Sequence, residues 1–268
     1  MEVIPVLDLM GGSVVRARMG DRAHYRPIAT PLSPGSDPLD VARGLLRIGA
    51  FERFYVADLD AIAGKGEHRV VLCRLRSELD LELWVDGGIA DLAAARDWLD
   101  AALGYLVLGS ETQTDAAPVR HLSADPRVVL SLDFRGEDFL GPPALLAEPD
   151  AWPDRVIVMT LARVGSGAGP DFSRIAAIRA LAGPRKLYAA GGIRGAADLA
   201  DLARAGVAGA LVASCLHDGA LTAQDIAALS GARAYAANGC LTLSRCATTC
   251  EGLGSPATAR ASASLVAR

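Results

Sequence analysis

At 268 residues, 51% of them apolar, the chain can bury a large core, and α/β barrels of this length commonly form one domain. A net charge of −4 without a basic tract excludes a nucleic-acid surface, and no apolar run is long enough to span a membrane. The N-terminus enters a strand at once, with no n-region, h-region or cleavage site. Five cysteines, an odd number, fit a reducing compartment better than a disulfide framework, so the expected location is the cytoplasm.

The first predicted strand, residues 3–9, is an apolar run carrying Asp8 near its end. A long loop over 10–38 follows, rich in Arg, Gly and Pro. Short strands rich in Val, Leu and Ile then recur at 53–58, 81–85, 105–109, 128–134, 155–160, 187–190 and 209–213. Amphipathic segments at 39–48, 68–77, 92–99, 172–182, 196–205 and 222–229 lie between or after them. Eight strands alternating with helices predict a single (β/α)8 barrel over residues 1–230 rather than an open sheet. The unit after the fifth strand, 136–154, contains Gly141-Pro142-Pro143 and Pro149 and reads as a long loop with a short helix. Loops after strands one and five would lie on the catalytic face as lids. From residue 231 onward, Ala, Ser, Thr, Gly and Arg dominate without periodicity, which predicts an irregular tail. Its Cys240, Cys246 and Cys250 lack the spacing and the fourth ligand of a usual thiolate metal site.

The chain also repeats itself. Asp8 and Asp133 each end an apolar run; the first is followed by Gly87-Gly88 and Gly109-Ser110, the second by Gly191-Gly192 and Ala213-Ser214. The spacing from Gly87 to Gly191 equals that from Ser110 to Ser214, so two half-barrel copies are expected. A lone Gly-Gly pair after a strand is as readily a plain tight turn as a phosphate site. Recurring at equal spacing, such pairs bring backbone N–H groups close to an oxyanion, and small residues at the next strand end leave room for it. Gly87, Gly88, Gly109 and Ser110 are one candidate phosphate site; Gly191, Gly192, Ala213 and Ser214 are the other. Asp8 and Asp133 are the candidate acid–base pair, since moving a proton between adjacent atoms needs one group that gives and one that takes. Arg16, Arg18, Arg22 and Arg26 in the first loop are candidate anion clamps, or equally a solvated loop surface. His24 and His217 are weaker candidates for binding. The only lysines, Lys65 and Lys186, lie in a loop and before strand seven, which gives a Schiff-base aldolase little support.

Asp8-Leu9 with Gly12, Val15-Arg16 and Gly20-Asp21, then Ala57-Asp58-Leu59-Asp60, Gly87-Gly88-Ile89, Gly109-Ser110, Asp133 and Gly191-Gly192-Ile193-Arg194 resemble the histidine-biosynthesis barrels, ProFAR isomerase and the cyclase subunit of imidazole glycerol phosphate synthase. The resemblance runs in order over residues 1–229. It implies an Amadori-type isomerase, with Asp8 as general base, Asp133 as general acid, and the two glycine turns holding two substrate phosphates. It also implies substrate contacts at Arg16, Asp58, Thr160 and Arg163. The implied partner is a small phosphorylated substrate, and no metal or redox cofactor is implied.

The sequence departs from the family at strand six. Where the isomerase carries Thr-Asp and Arg-Asp-Gly, this chain reads Thr160-Leu161 and Arg163-Val164-Gly165, and Asp86 replaces a glycine before Gly87. The chain is similar to a divergent group of these barrels found in methanogens and methylotrophs. That likeness keeps two alternatives open: a lyase or cyclase step in making a one-carbon carrier cofactor such as methanopterin or methanofuran, and a non-catalytic barrel that senses a metabolite.

Overall fold

The computed structural model describes residues 1–234; the predicted tail, with Cys240, Cys246 and Cys250, lies outside the described residues. Eight parallel strands close on themselves: β1 (Glu2–Met10), β2 (Arg53–Asp58), β3 (Glu82–Asp86), β4 (Tyr105–Gly109), β5 (Val128–Arg135), β6 (Arg155–Thr160), β7 (Lys186–Ala190) and β8 (Gly209–Val212). Closure comes from the parallel pairing of β1 with β8, in the register Glu2 with Gly209 through Pro5 with Val212. The expected (β/α)8 barrel is the architecture observed.

Period-two alternation decides what each strand offers to each side. Ile4, Tyr55, Trp84, Val107, Val129, Ile157, Tyr188 and Leu211, one from each strand, form a buried cluster inside the barrel. The intervening residues, such as Leu7, Phe54, Val85 and Leu132, join the larger outer core beneath the helices. Counting by twos from the inner set reaches Asp8 on β1, Asp86 on β3 and Asp133 on β5. The alternation that fills the barrel therefore also aims these three carboxylates into its C-terminal mouth.

Helices follow the strands: α1 (Pro38–Leu46), α2 (Arg69–Leu79), α3 (Leu92–Ala101), α4 (Ala117–Leu122), α5 (Ala144–Ala147), α6 (Phe172–Ala182), α7 (Ala196–Arg204) and α8 (Ala223–Ala234). Asp37, Asp91 and Asp171 cap the starts of α1, α3 and α6 by accepting backbone N–H groups. Helix α4 was not expected. It is six residues long and begins with Pro118 in its first turn, where a missing N–H costs nothing, so it is too short to show periodicity. Helix α5 is the short element foreseen in the loop after β5. No helix among the described residues is long and apolar enough to cross a membrane.

Both long loops fold over the mouth. The segment after β1 doubles back as strand Ser13–Arg16 against the end of β1, then as Arg26–Pro27. It reaches the loop after β6, where the Met19 amide donates to the Val164 carbonyl at 2.8 Å. After β5, Asp138–Leu140 pairs back on Asp133–Arg135 and lies against the end of β4.

Candidate active site

A cavity of about 500 Å³ opens at the C-terminal mouth of the barrel. Its floor holds Asp8, Asp86 and Asp133 with Tyr55, and its rim holds Arg16, Arg18, Arg22, Arg135 and Arg194. Gly191, Gly192, Ala213 and Ser214 form one wall.

Asp133 is 5% exposed and tightly held. Its carboxylate accepts from the Ser131 hydroxyl at 2.7 Å, the Ser110 hydroxyl at 3.2 Å and the Glu111 amide at 3.2 Å. Burial still prevails over these bonds and, with Asp86 and Glu111 nearby, pushes its pKa up to about 7. Asp8 makes no side-chain hydrogen bond among the described residues; burial raises it to about 7 against the pull of the Arg22 guanidinium. Asp86, 6% exposed, is raised to about 6 by burial, although the Gly88 amide donates to it. The Tyr55 hydroxyl approaches Asp86 at 3.5 Å, and burial beside so many carboxylates holds its pKa well above the usual phenol value. Three inward carboxylates with raised pKa values in one cleft mark it as the candidate functional site, since a fold gains nothing from them.

That cost is measurable. A carboxyl whose folded-state pKa of about 7 exceeds its unfolded value near 3.8 favours folding at low pH, and the benefit is lost as pH rises through 7. Asp8→Asn removes the charge without breaking a hydrogen bond. It is expected to stabilise the protein by about 2 kcal/mol at pH 8 and to leave stability at pH 4 nearly unchanged, read by denaturant unfolding at both pH values. A loss of stability at pH 8 would show that the ionised carboxylate supports the fold.

The candidates separate on geometry. Asp8, Asp133, Gly191, Gly192, Ala213, Ser214 and Arg16 line the cavity, with Arg16 paired to Asp218 at 2.5 Å. Gly87, Gly88, Gly109 and Ser110 stand at the ends of β3 and β4 but do not line it, and Ser110 is fully buried. Asp58 is 2% exposed and turned away from the cavity: its carboxylate accepts the amides of Ala61 and His68 and faces His68 Nδ1 at 2.8 Å. Its position on β2 explains this, because Tyr55 and Ala57 are the inward residues and Asp58 falls on the outer side. Thr160, outward by the same alternation on β6, is buried outside the lining. Arg163 braces its own loop, donating to the carbonyls of Gly169 and Pro170. His217, 3% exposed, is driven down to about 4 by burial and stays neutral against Thr30. His24 sits exposed, paired to Asp21.

Sequence reasoning missed Glu111 and Tyr55. Glu111 lines the cavity and forms a salt bridge with Arg22 from the first loop. Its signal was its place directly after Gly109-Ser110, the position that opens onto the mouth. Tyr55 is two residues before Ala57 in the inward row of β2.

A family model described as "Histidine biosynthesis protein" matches residues 2–147 and 150–222. The isomerase of 1-(5-phosphoribosyl)-5-((5-phosphoribosylamino)methylideneamino) imidazole-4-carboxamide from Thermus thermophilus is 32% identical over 233 residues, covering 82% of this chain and 95% of that protein. The enzyme of the same name from Rubrobacter xylanophilus is 31% identical over 244 residues, 85% and 96% of the two chains. An uncharacterized protein of Methanocaldococcus jannaschii is 28% identical over 233 residues, 84% and 97%.

Proposed function

The chain belongs to the histidine-biosynthesis protein family, and from that premise we propose that it is an intramolecular isomerase of Amadori type, converting a phosphorylated aminoaldose into the aminoketose. One observation carries this reading: Asp8 and Asp133, from β1 and β5, both face a cavity whose wall is the Gly191–Gly192 turn and the Ala213–Ser214 strand end. The turn offers backbone N–H groups to a phosphate, and Arg18 lines the same cavity beside Arg16 and Arg194, which are paired to Asp218 and Asp198.

The reaction opens a sugar ring and moves a hydrogen from C2 to C1. Asp133, protonated, gives its proton to the ring oxygen; the C1–O bond breaks toward that oxygen while the amine lone pair forms C1=N. Asp8, ionised, takes the C2 proton, and the C2–H electrons form C1=C2 as the iminium nitrogen regains its pair. The C2 hydroxyl then returns a proton to Asp133 as C2=O forms, and Asp8 delivers its proton to C1. Both carboxyls end as they began.

Such a pair predicts a bell-shaped dependence of kcat/KM on pH with its maximum near 7. Below it Asp8 takes up a proton and loses its action as base; above it Asp133 ionises and loses its action as acid. A rate that stays flat from pH 5 to 9 would remove both roles. The function itself is tested by incubating the protein with N-substituted ribosylamine 5-phosphate in D2O and following the product by NMR. Aminoketose is expected, with deuterium at C1 in the fraction of turnovers in which the proton on Asp8 exchanges with solvent before delivery, and no conversion of any phosphorylated aminoaldose would overturn the proposal.

A further inference from the structure

The two half-barrel turns have parted company. In the second half, Gly191, Gly192, Ala213 and Ser214 line the cavity and Ser214 remains partly exposed. In the first half the matching groups are already used. The Gly88 amide donates to Asp86 Oδ1 at 3.1 Å, and the Glu111 amide donates to Asp133 Oδ2 at 3.2 Å. The Ser110 hydroxyl donates to the Leu140 carbonyl at 2.7 Å, under the segment that folds back after β5. That segment leaves no room: a Cβ on Gly141 would stand 2.8 Å from the Ser110 carbonyl oxygen.

The equal spacing of the halves also lines up their charges. Asp86 stands where the second half has Ala190, and Glu111 where it has Cys215; Arg194, opposite Ala90, is paired to Asp198. The two added carboxylates make the first-half turn more negative. Asp86 and Asp133 come together there across Gly109: a Cβ on that glycine would lie 2.8 Å from Asp86 Oδ2 and 3.5 Å from Asp133 Oδ2. Gly109 thus makes room for two of the protein's own carboxylates, in the place where a phosphate would need to sit.

Resting on the isomerase reading above, we propose that the substrate carries a single phosphate, held at Gly191–Gly192 and Ala213–Ser214, and presents hydroxyl or amine hydrogens, not a second phosphate, to Asp86 and Glu111. A phosphate needs free N–H donors and positive charge, and the first-half turn offers carboxylate lone pairs. The same lone pairs accept from O–H and N–H groups. Arg22, whose charge acts on Asp86, is engaged by Glu111. The substrate therefore differs from the one in the relatives' name, which has two phosphoribosyl groups.

The test is calorimetric titration of the full chain at pH 8, where Asp86 and Asp133 are ionised, with ribose 5-phosphate, ribose 1,5-bisphosphate and inorganic phosphate. One equivalent of inorganic phosphate is expected, lost in Ser214→Glu, and the bisphosphate should bind at least tenfold more weakly than the monophosphate. In folded Glu111→Gln the gap between the two sugars should narrow. Two equivalents of phosphate, a bisphosphate that binds as tightly as the monophosphate, retention of the equivalent in Ser214→Glu, or an unchanged gap in Glu111→Gln would overturn this inference and leave the isomerase reading standing. Absence of binding by every phosphate compound would overturn the isomerase reading, and this inference with it.

Discussion

Asp8→Asn and Asp133→Asn are each expected to lower turnover by about 10²–10⁴-fold while phosphate affinity stays within a factor of a few. Asparagine keeps the shape of aspartate but cannot exchange the proton that the reaction needs at either position. Affinity persists because the Gly191–Gly192 wall uses neither carboxylate. The variants should differ in stability. Asp8 has no hydrogen bond to lose, whereas Asp133 accepts from Ser131, Ser110 and the Glu111 amide, and an amide matches those three donors less well. Steady-state rates on an aminoaldose phosphate, phosphate titration and thermal unfolding separate the three effects. Full activity in either variant would remove that aspartate from the chemistry. A loss of activity that only follows unfolding would make Asp133 a structural residue.

Gly192→Ala is expected to cost about 2–4 kcal/mol of stability and to abolish phosphate binding in the protein that still folds. Gly192 has φ of +83°, and a Cβ there would lie 2.3 Å from the Gly169 carbonyl oxygen, so the turn after β7 and the loop after β6 would have to move apart. The backbone N–H groups of this cavity-lining turn would move with them. Gly88→Ala is the matched control: with φ of +67° and a Cβ 2.6 Å from the Ile62 Cα, it should be comparably destabilised. Its phosphate affinity should remain, because Gly87 and Gly88 do not line the cavity. Melting temperature and phosphate titration at low temperature give both readings. Equal loss of affinity in the two variants would mean that both halves bind phosphate.

The barrel was legible because its signals are local. Apolar runs, turn glycines and the spacing of the halves lie within short windows, and a parallel strand buried on both sides announces itself through Val, Leu and Ile. Alternation also carried information that had gone unread: it places Asp58 and Thr160 on the outer side of β2 and β6, away from the cavity where the family resemblance had expected them. Helix α4 escaped because six residues hold less than two turns of pattern.

By itself the sequence determined the closed eight-stranded architecture, the inward aim of Asp8 and Asp133, and the glycine turn at Gly191–Gly192, since each depends on residues close together along the chain. Tertiary structure alone decided what surrounds them. It brought Glu111 to Arg22 across 89 positions, set Tyr55 against Asp86, and laid Leu140 over Ser110. The raised pKa values of Asp8, Asp86 and Asp133 arise only once the barrel closes and the loops cover its mouth, because desolvation is a property of everything that replaces water around a group. The difference between the two glycine turns comes from both levels: sequence supplies Asp86 and Glu111 to one of them, and the fold brings Asp133 of β5 onto the Glu111 amide while leaving Gly191–Gly192 on the cavity wall.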